Sequence, residues 1–123
     1  MSPSRATLHA GLVAVALGYP EAYEDYPWGE LVAKVNNKVF VFFGSEGAPT
    51  PRLCMKLADS HEQALAFSCI EPAGYGLGKS GWVNVTLGKG APPRGVLEDW
   101  IEESYRLVAP RRLVRVMDLA VER

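Results

Sequence analysis

Apolar and polar residues alternate along three stretches of this sequence, and that pattern favours a β-sheet over a helical fold. The stretches are residues 31–36, 52–57 and 82–87, in which every second residue is apolar. Successive side chains of a strand point to opposite faces of a sheet, so each stretch predicts a strand with one buried face. Residues 38–43 follow Asn36-Asn37, which can form a two-residue turn, and predict the return strand of a hairpin. The first three strands therefore predict an antiparallel meander.

Helices are predicted before, between and after these strands. In each case apolar residues recur at helical spacing, and capping residues or prolines mark the ends. The predicted helices span residues 3–18, about 60–69, the segment from Pro92-Pro93 to Pro110, and a short terminal segment that contains Leu113 and Met117.

The remaining segments complete the predicted order of elements. Residues 74–77 predict a short fourth strand, and residues 82–87 form the fifth. Residues 21–29 predict an ordered loop packed by its aromatic rings. The order α-β-β-β-α-β-β-α-α contains no repeat or linker, so it predicts a single α+β domain over residues 1–123. Its antiparallel sheet is expected to carry helices mainly on one face.

Charge and cysteine content narrow the function classes. Thirteen basic and fourteen acidic side chains give a net charge of −1, so nucleic-acid binding requires a local basic patch. Cys54 and Cys69 lack the spacing of a metal site and predict reduced, buried thiols. The apolar run over residues 10–17 is far shorter than the ~20 residues of a membrane span. We expect a cytoplasmic monomer without a metal, a cofactor or membrane association.

A glycine-rich stretch contains a loose match to a phosphate-binding loop, A-x-x-x-x-G-K-S over residues 73–80. A working loop of this kind opens a helix directly behind its Lys-Ser pair. Residues 82–87 alternate and are rich in β-branched residues, which predicts a strand there instead. We therefore interpret the stretch as a hairpin permitted by its glycines. His9 and His61 also lack sequence-local partners, so we predict no catalytic residue.

The same alternation predicts which residues lie on the sheet face away from the helices. Basic side chains on such a face can bind phosphate while an exposed tryptophan stacks on a base or another ring. The alternative is an ordinary solvated face, with the tryptophan covering a sheet edge or packed under the C-terminal helix. The residues concerned are Lys34, Arg52, Lys56, Trp82, Asn84 and Thr86.

A set of residues also matches a known family in order and spacing. They are Tyr26-Pro27-Trp28-Gly29, Lys34, Lys38-Val39-Phe40, Met55-Lys56-Leu57, Pro72, Tyr75, Lys79, Trp82-Val83 and Glu103-Ser104-Tyr105. With these residues the chain resembles the MmcQ/YjbR family of small bacterial proteins. The resemblance implies a CyaY-like, or secretion-chaperone-like, α-β(3)-α-β(2)-α domain. It also implies a proposed DNA-binding role with a double-wing arrangement and no enzymatic activity.

The resemblance implies binding residues as well. Lys34, Lys56, Lys79 and Trp82 are the main candidates for the binding surface, with Tyr75 beside them. Secondary candidates are Trp28 and two residues that the alternation places on the predicted sheet face, Arg52 and Asn84. The chain departs from the family at Gly76 and Gly81, where histidines are common, so a role that needs those imidazoles is not expected here.

Two functions stay open at the level of sequence. The first is a nucleic-acid-binding module that uses the basic face, with the turn over residues 74–81 as a wing. The second is a protein- or small-ligand-binding domain in which Trp28, Tyr75 and Trp82 line a concave site. We further predict that Tyr105 is structural, with a buried ring and a bonded hydroxyl group. The loop around Trp28 is either a lid over the sheet or a plug for one end of the core, and we favour the plug.

Overall fold

A six-stranded antiparallel sheet lies at the centre of the structure, a computed structural model that describes residues 5–45, 50–74 and 76–121. In chain order its strands are β1 (Tyr23–Asp25), β2 (Glu30–Val35), β3 (Lys38–Ser45), β4 (Arg52–Lys56), β5 (Ile70–Pro72) and β6 (Trp82–Thr86). They lie side by side in the order β1-β2-β3-β4-β6-β5. The helices are α1 (Arg5–Leu17), α2 (His61–Leu65), α3 (Arg94–Val108) and α4 (Arg111–Val121). The predicted α+β class with an antiparallel sheet is confirmed.

Three predicted elements differ from the observed ones. The segment predicted as a loop contains β1, a strand of only three mostly exposed residues that is too short to show alternation. The predicted strand over residues 74–77 is wrong, because Gly76 has a φ of 80° and begins a 3-10 turn, and β5 lies upstream of it. The helix predicted to reach residue 69 ends at Leu65, because the chain turns there to enter β5.

Strand β3 carries more apolar side chains into the core than strict alternation allows. In its pairing with β2 the register shifts twice, and Phe40 and Phe43 are the residues left without a partner. Each shift adds one residue to β3, which bends the strand and resets the direction of the next side chain. As a result Phe40, Val41 and Phe43 all belong to the buried core, while Phe42 lies on the opposite face of the sheet.

The core lies between one face of the sheet and the helices. Helix α3 supplies the largest fully buried side chain, that of Tyr105. Its ring packs edge-on against Phe40 with ring centroids 5.3 Å apart. The strands contribute the alternating residues that the sequence predicted for this face, and Leu31 is only partly buried against them. Those strand residues are Ala33, Val35, Leu53, Met55, Leu57, Val83, Val85 and Leu87. None of the helices in the described ranges is long and apolar enough to cross a membrane.

A hydroxyl group from α3 is inserted where β3 and β4 separate. The two strands pair at Val41 with Met55, and the next pair in the ladder would join Phe40 to Lys56. Instead Ser104 Oγ donates a 2.6 Å hydrogen bond to the Phe40 carbonyl and accepts a 2.9 Å bond from the Lys56 amide. Ser104 is fully buried, so its hydroxyl satisfies two backbone groups that the sheet leaves open.

The two neighbours of Ser104 tie α3 to other parts of the chain. Glu103 accepts hydrogen bonds from the amides of Ala58 and Ser60 and from the Ser60 hydroxyl, at 2.7, 3.2 and 2.7 Å. The Tyr105 hydroxyl donates a 2.8 Å bond to the Pro20 carbonyl, which confirms the structural role predicted for this residue. Consecutive helical side chains point in directions about 100° apart, so three adjacent residues reach three separate segments.

We expect Ser104→Ala to lower the free energy of unfolding by about 1–3 kcal/mol. The substitution leaves the buried Phe40 carbonyl without its partner, and one such group costs about 1–3 kcal/mol. The bond of the Lys56 amide is only part-buried, so its loss adds less. Urea denaturation followed by circular dichroism measures the change. Ser68→Ala, at an exposed serine, is the matched control and should stay within about 0.5 kcal/mol of the unmodified protein. A Ser104→Ala protein as stable as this control would contradict the role given to the hydroxyl.

Candidate binding site

The face of the sheet opposite the helices, called here the open face, is not a flat solvated surface. A row of residues crosses it in register from β2 to β6, namely Val32, Phe42, Cys54 and Asn84. Val32 is 0% exposed and the other three are only partly exposed. The open face therefore carries a second, smaller apolar layer.

A groove lies on this layer. It has a volume of about 200 Å³, and the strand side chains Phe42, Cys54 and Asn84 line its base. The connection between β5 and β6 closes one side through Ala73, Gly74 and Leu77, and the strand ends contribute Glu30, Gly44 and Arg52. The groove thus combines an apolar base with two opposite charges at one end.

Two side chains of opposite charge, Glu30 and Arg52, lie at this end of the groove. Within the described ranges neither Glu30 nor Arg52 forms an ion pair. Burial raises the pKa of the Cys54 thiol to about 12, with Glu30 adding to the rise and Arg52 opposing it. The thiol therefore stays protonated at neutral pH and acts as part of the apolar base, not as a nucleophile.

The turn between β5 and β6 is held by backbone contacts that require glycine at one position. Gly81 has a φ of 96°, and a Cβ atom there would collide with the carbonyl oxygen of Leu57. The Leu57 amide in turn donates a 2.9 Å bond to the Gly81 carbonyl, and Ala73 donates one of the same length to Trp82. In this chain the close approach of the two backbones leaves no space for a side chain at this position.

The same turn has no phosphate-binding geometry. Residues Leu77–Ser80 form a single 3-10 turn, and strand β6 begins two residues later. No helix opens behind Lys79-Ser80, as the sequence predicted. The stretch is a connection between paired strands, because Pro72 lies opposite Val83.

The predicted lysines do not form one basic patch. Lys34 Nζ lies 2.8 Å from Asp25 Oδ2, and the pairing raises the pKa of Lys34 and lowers the pKa of Asp25. Lys34 is therefore committed to an internal partner. Lys56 lies opposite Trp82 in the strand register, Lys79 is exposed in the 3-10 turn, and neither forms an ion pair with a described residue.

The prediction that Trp82 is an exposed stacking residue is wrong. Its side chain is only 9% exposed and meets Phe42 edge-on, with ring centroids 5.5 Å apart. Phe42 lies on β3 and Trp82 on β6, so the two rings approach each other across the intervening strand β4. The expected basic face is also wrong in part, because Glu30 shares it and Lys34 is paired. Tyr75 lies outside the described residues.

Two secondary candidates, Arg52 and Asn84, do come together at the groove, and three further residues were missed. Glu30, Phe42 and Cys54 also line it. A signal for Cys54 was present, because it alternates with Leu53 and Met55 and so shares a face with Arg52. No such signal marked Phe42, since every residue around it in β3 is apolar.

Trp28 occupies the most unusual position of any candidate. It is 90% exposed and has φ and ψ of 56° and 25°, in the left-handed region that favours glycine. A turn closed by the 3.2 Å bond from the Gly29 amide to the Tyr26 carbonyl holds it there. The prediction that this residue plugs the core is therefore wrong, because its ring packs against little of the protein.

We expect Trp28→Gly to leave the free energy of unfolding unchanged within about 1 kcal/mol or to raise it. Glycine adopts this backbone conformation without strain, and hardly any packing is lost with an exposed ring. Trp100→Ala, at a tryptophan only 3% exposed, is the control and should cost about 3–5 kcal/mol. Thermal and urea denaturation measure both. A loss above about 2 kcal/mol for Trp28→Gly would show that the ring supports the fold.

Comparison with known proteins gives the family. The fold and groove define a small α+β domain with one helix-covered and one open sheet face. A family model described as YjbR matches residues 17–107. The crystal structure of the Deinococcus radiodurans protein DR2400, a DUF419 domain, is similar with a TM-score of 0.66 and 31% identity, covering 80% of this chain and 76% of that one. No curated protein matches. The chain belongs to the YjbR family, as its resemblance predicted.

Proposed function

We propose that this protein is a non-enzymatic binding module whose small ligand lies in the groove of the open face. The observation that carries the proposal is the pair of opposite charges, Glu30 and Arg52, which lie at the end of an apolar recess and form no ion pair with a described residue. A few convergent polar groups on an apolar base are the usual composition of a ligand site.

The groove restricts the chemistry of its ligand. Its volume of about 200 Å³ lies below the roughly 300–1,000 Å³ of sites that enclose drug-sized molecules. Arg52 suits a carboxylate, Glu30 suits an ammonium group, and Phe42 suits an apolar body. We therefore propose a small zwitterion with an apolar side chain, such as a hydrophobic amino acid or a close derivative of one.

A panel of matched compounds tests this assignment. Each hydrophobic amino acid is compared with the carboxylic acid that lacks its amino group and with the amine that lacks its carboxylate. We expect the zwitterions to shift the amide NMR signals of Gly44, Gly74 and Asn84 most strongly. Arg52→Gln should weaken their binding about tenfold or more, since a hydrogen bond to a charged group contributes about 1.5–3 kcal/mol.

The control for this experiment is Arg111→Gln, which removes an exposed arginine on α4 and should leave binding unchanged. The groove assignment fails if no zwitterion moves these signals, or if the Arg52→Gln and Arg111→Gln proteins bind alike.

A second candidate function is nucleic-acid binding, and the positions of two lysines favour it. The bond between Leu57 and Gly81 brings the end of β4 close to the 3-10 turn, so Lys56 and Lys79 lie at the same end of the open face. Neither is paired within the described ranges, which leaves both able to contact phosphate. This proposal replaces the predicted pair of Lys34 and Lys56, because Lys34 is held by Asp25.

Fluorescence anisotropy with labelled duplex and single-stranded DNA across a salt series tests the second candidate. Binding should weaken steeply with salt, and the double variant Lys56→Ala, Lys79→Ala should lower the slope of log affinity against log salt by about 2. The double variant Lys89→Ala, Arg111→Ala removes the same charge elsewhere and should change the slope less. Absent or salt-insensitive binding, or equal slopes in the two double variants, would rule this function out.

A further inference from the structure

Trp28 combines backbone strain with exposure, and packing of its ring accounts for neither. A bulky residue in the left-handed region is a genuine outlier, and such strain persists where a residue serves a function. The ring is 90% exposed, so its packing does not compensate for the strain. Exposed aromatic residues of this kind are frequent anchors of protein interfaces.

We propose that Trp28 anchors a protein partner that presents an arginine or lysine within an extended segment. The face of an indole ring attracts such cations, and arginine is enriched at protein interfaces. The ring of Trp28 does not line the ligand groove, although Glu30 is close to Trp28 in the sequence and also lines the groove.

The segment that contains Trp28 is acidic, which favours a cationic partner. Residues 21–30 carry four carboxylates and no basic side chain. Two of these carboxylates are used internally, since Glu21 pairs with Arg112 and Asp25 pairs with Lys34. Glu24 and Glu30 form no ion pair with any described residue, and they flank Trp28 in the sequence. A segment with this charge favours a cationic partner and disfavours the phosphates of a nucleic acid.

The neighbouring sheet edge explains why the segment would be extended. Strand β1 is the end strand of the sheet and pairs only with β2 in the described part of the chain. Its outer edge can therefore accept a further strand from another molecule. Tyr23, on β1, is 39% exposed and would contact alternate side chains of the added strand.

Three synthetic nine-residue peptides serve as probes. In all three peptides every second position, five in total, is threonine or valine. The other four positions are all arginine in the first peptide, all serine in the second and all glutamate in the third. Binding is measured by anisotropy of the labelled peptide and by the tryptophan fluorescence of the protein, in which the contribution of Trp28 is the difference from the Trp28→Ala protein. We expect saturable binding of the arginine peptide that is at least tenfold tighter than that of the serine peptide, and no binding of the glutamate peptide.

Variants connect the binding to the named residues. Trp28→Ala should lower the affinity for the arginine peptide at least tenfold, whereas Trp28→Phe should keep most of that affinity. Glu24→Gln should lower the affinity about threefold. Leu119→Ala, at an apolar residue of α4 that is 63% exposed, is the matched control and should have no effect. Arg52→Gln should also leave peptide binding unchanged, which separates this surface from the groove.

Several outcomes would overturn the proposal. One is an arginine peptide that binds no tighter than the serine peptide, and another is equal binding by the Trp28→Ala protein. Sedimentation that shows self-association lost in Trp28→Ala would make the occupant a second copy of this chain. Binding of single-stranded DNA through Trp28 would mean that the occupant of this site is a nucleic-acid base. Either result would replace the cationic partner.

Discussion

The hydroxyl group of Ser104 is the contact on which the arrangement of this fold depends. It enters the sheet at the point where β3 and β4 stop pairing and bonds to one backbone group of each strand. Helix α3 is thereby fixed in height and rotation against the sheet. Because Glu103 and Tyr105 are also fixed at their own partners, α3 joins the first connection, both central strands and the turn before α2. A hydrogen bond in a fully buried position has few alternatives, so it specifies one arrangement.

The open face follows from the same central strands. Strand β4 pairs with β3 on one side and β6 on the other, so side chains from all three meet above it. Trp82 and Phe42 close one end of that surface, and the turn between β5 and β6 closes one side of the remaining recess. The recess is left because the helices all contribute to the other face. In this fold the uncovered face, together with its short connections, is where a ligand can reach the sheet.

Trp82 and Trp28 show which structural features the sequence can predict and which it cannot. Alternation correctly placed Trp82 on the face away from the helices, but it carries no information about what else covers that face. The partner ring comes from β3, forty residues away, and only the sheet order brings it there. For Trp28 the aromatic content of its segment predicted burial, whereas the backbone turn directs the ring outward. Proline and glycine around it indicated a turn, yet the direction of a turn depends on the strands that it joins.

The sequence by itself determined the α+β class, the hairpin of β2 and β3, the strand behind Lys79-Ser80 and the structural role of Tyr105. These follow from local periodicity, from turn chemistry and from the family resemblance. Only the tertiary structure decided that Lys34 is paired with Asp25, that Ser104 bridges two strands, and that Glu30, Cys54 and Asn84 meet at one groove. The physical reason is that strand order and register are set by long-range packing. Residues that are distant in the chain become neighbours only when the sheet has formed.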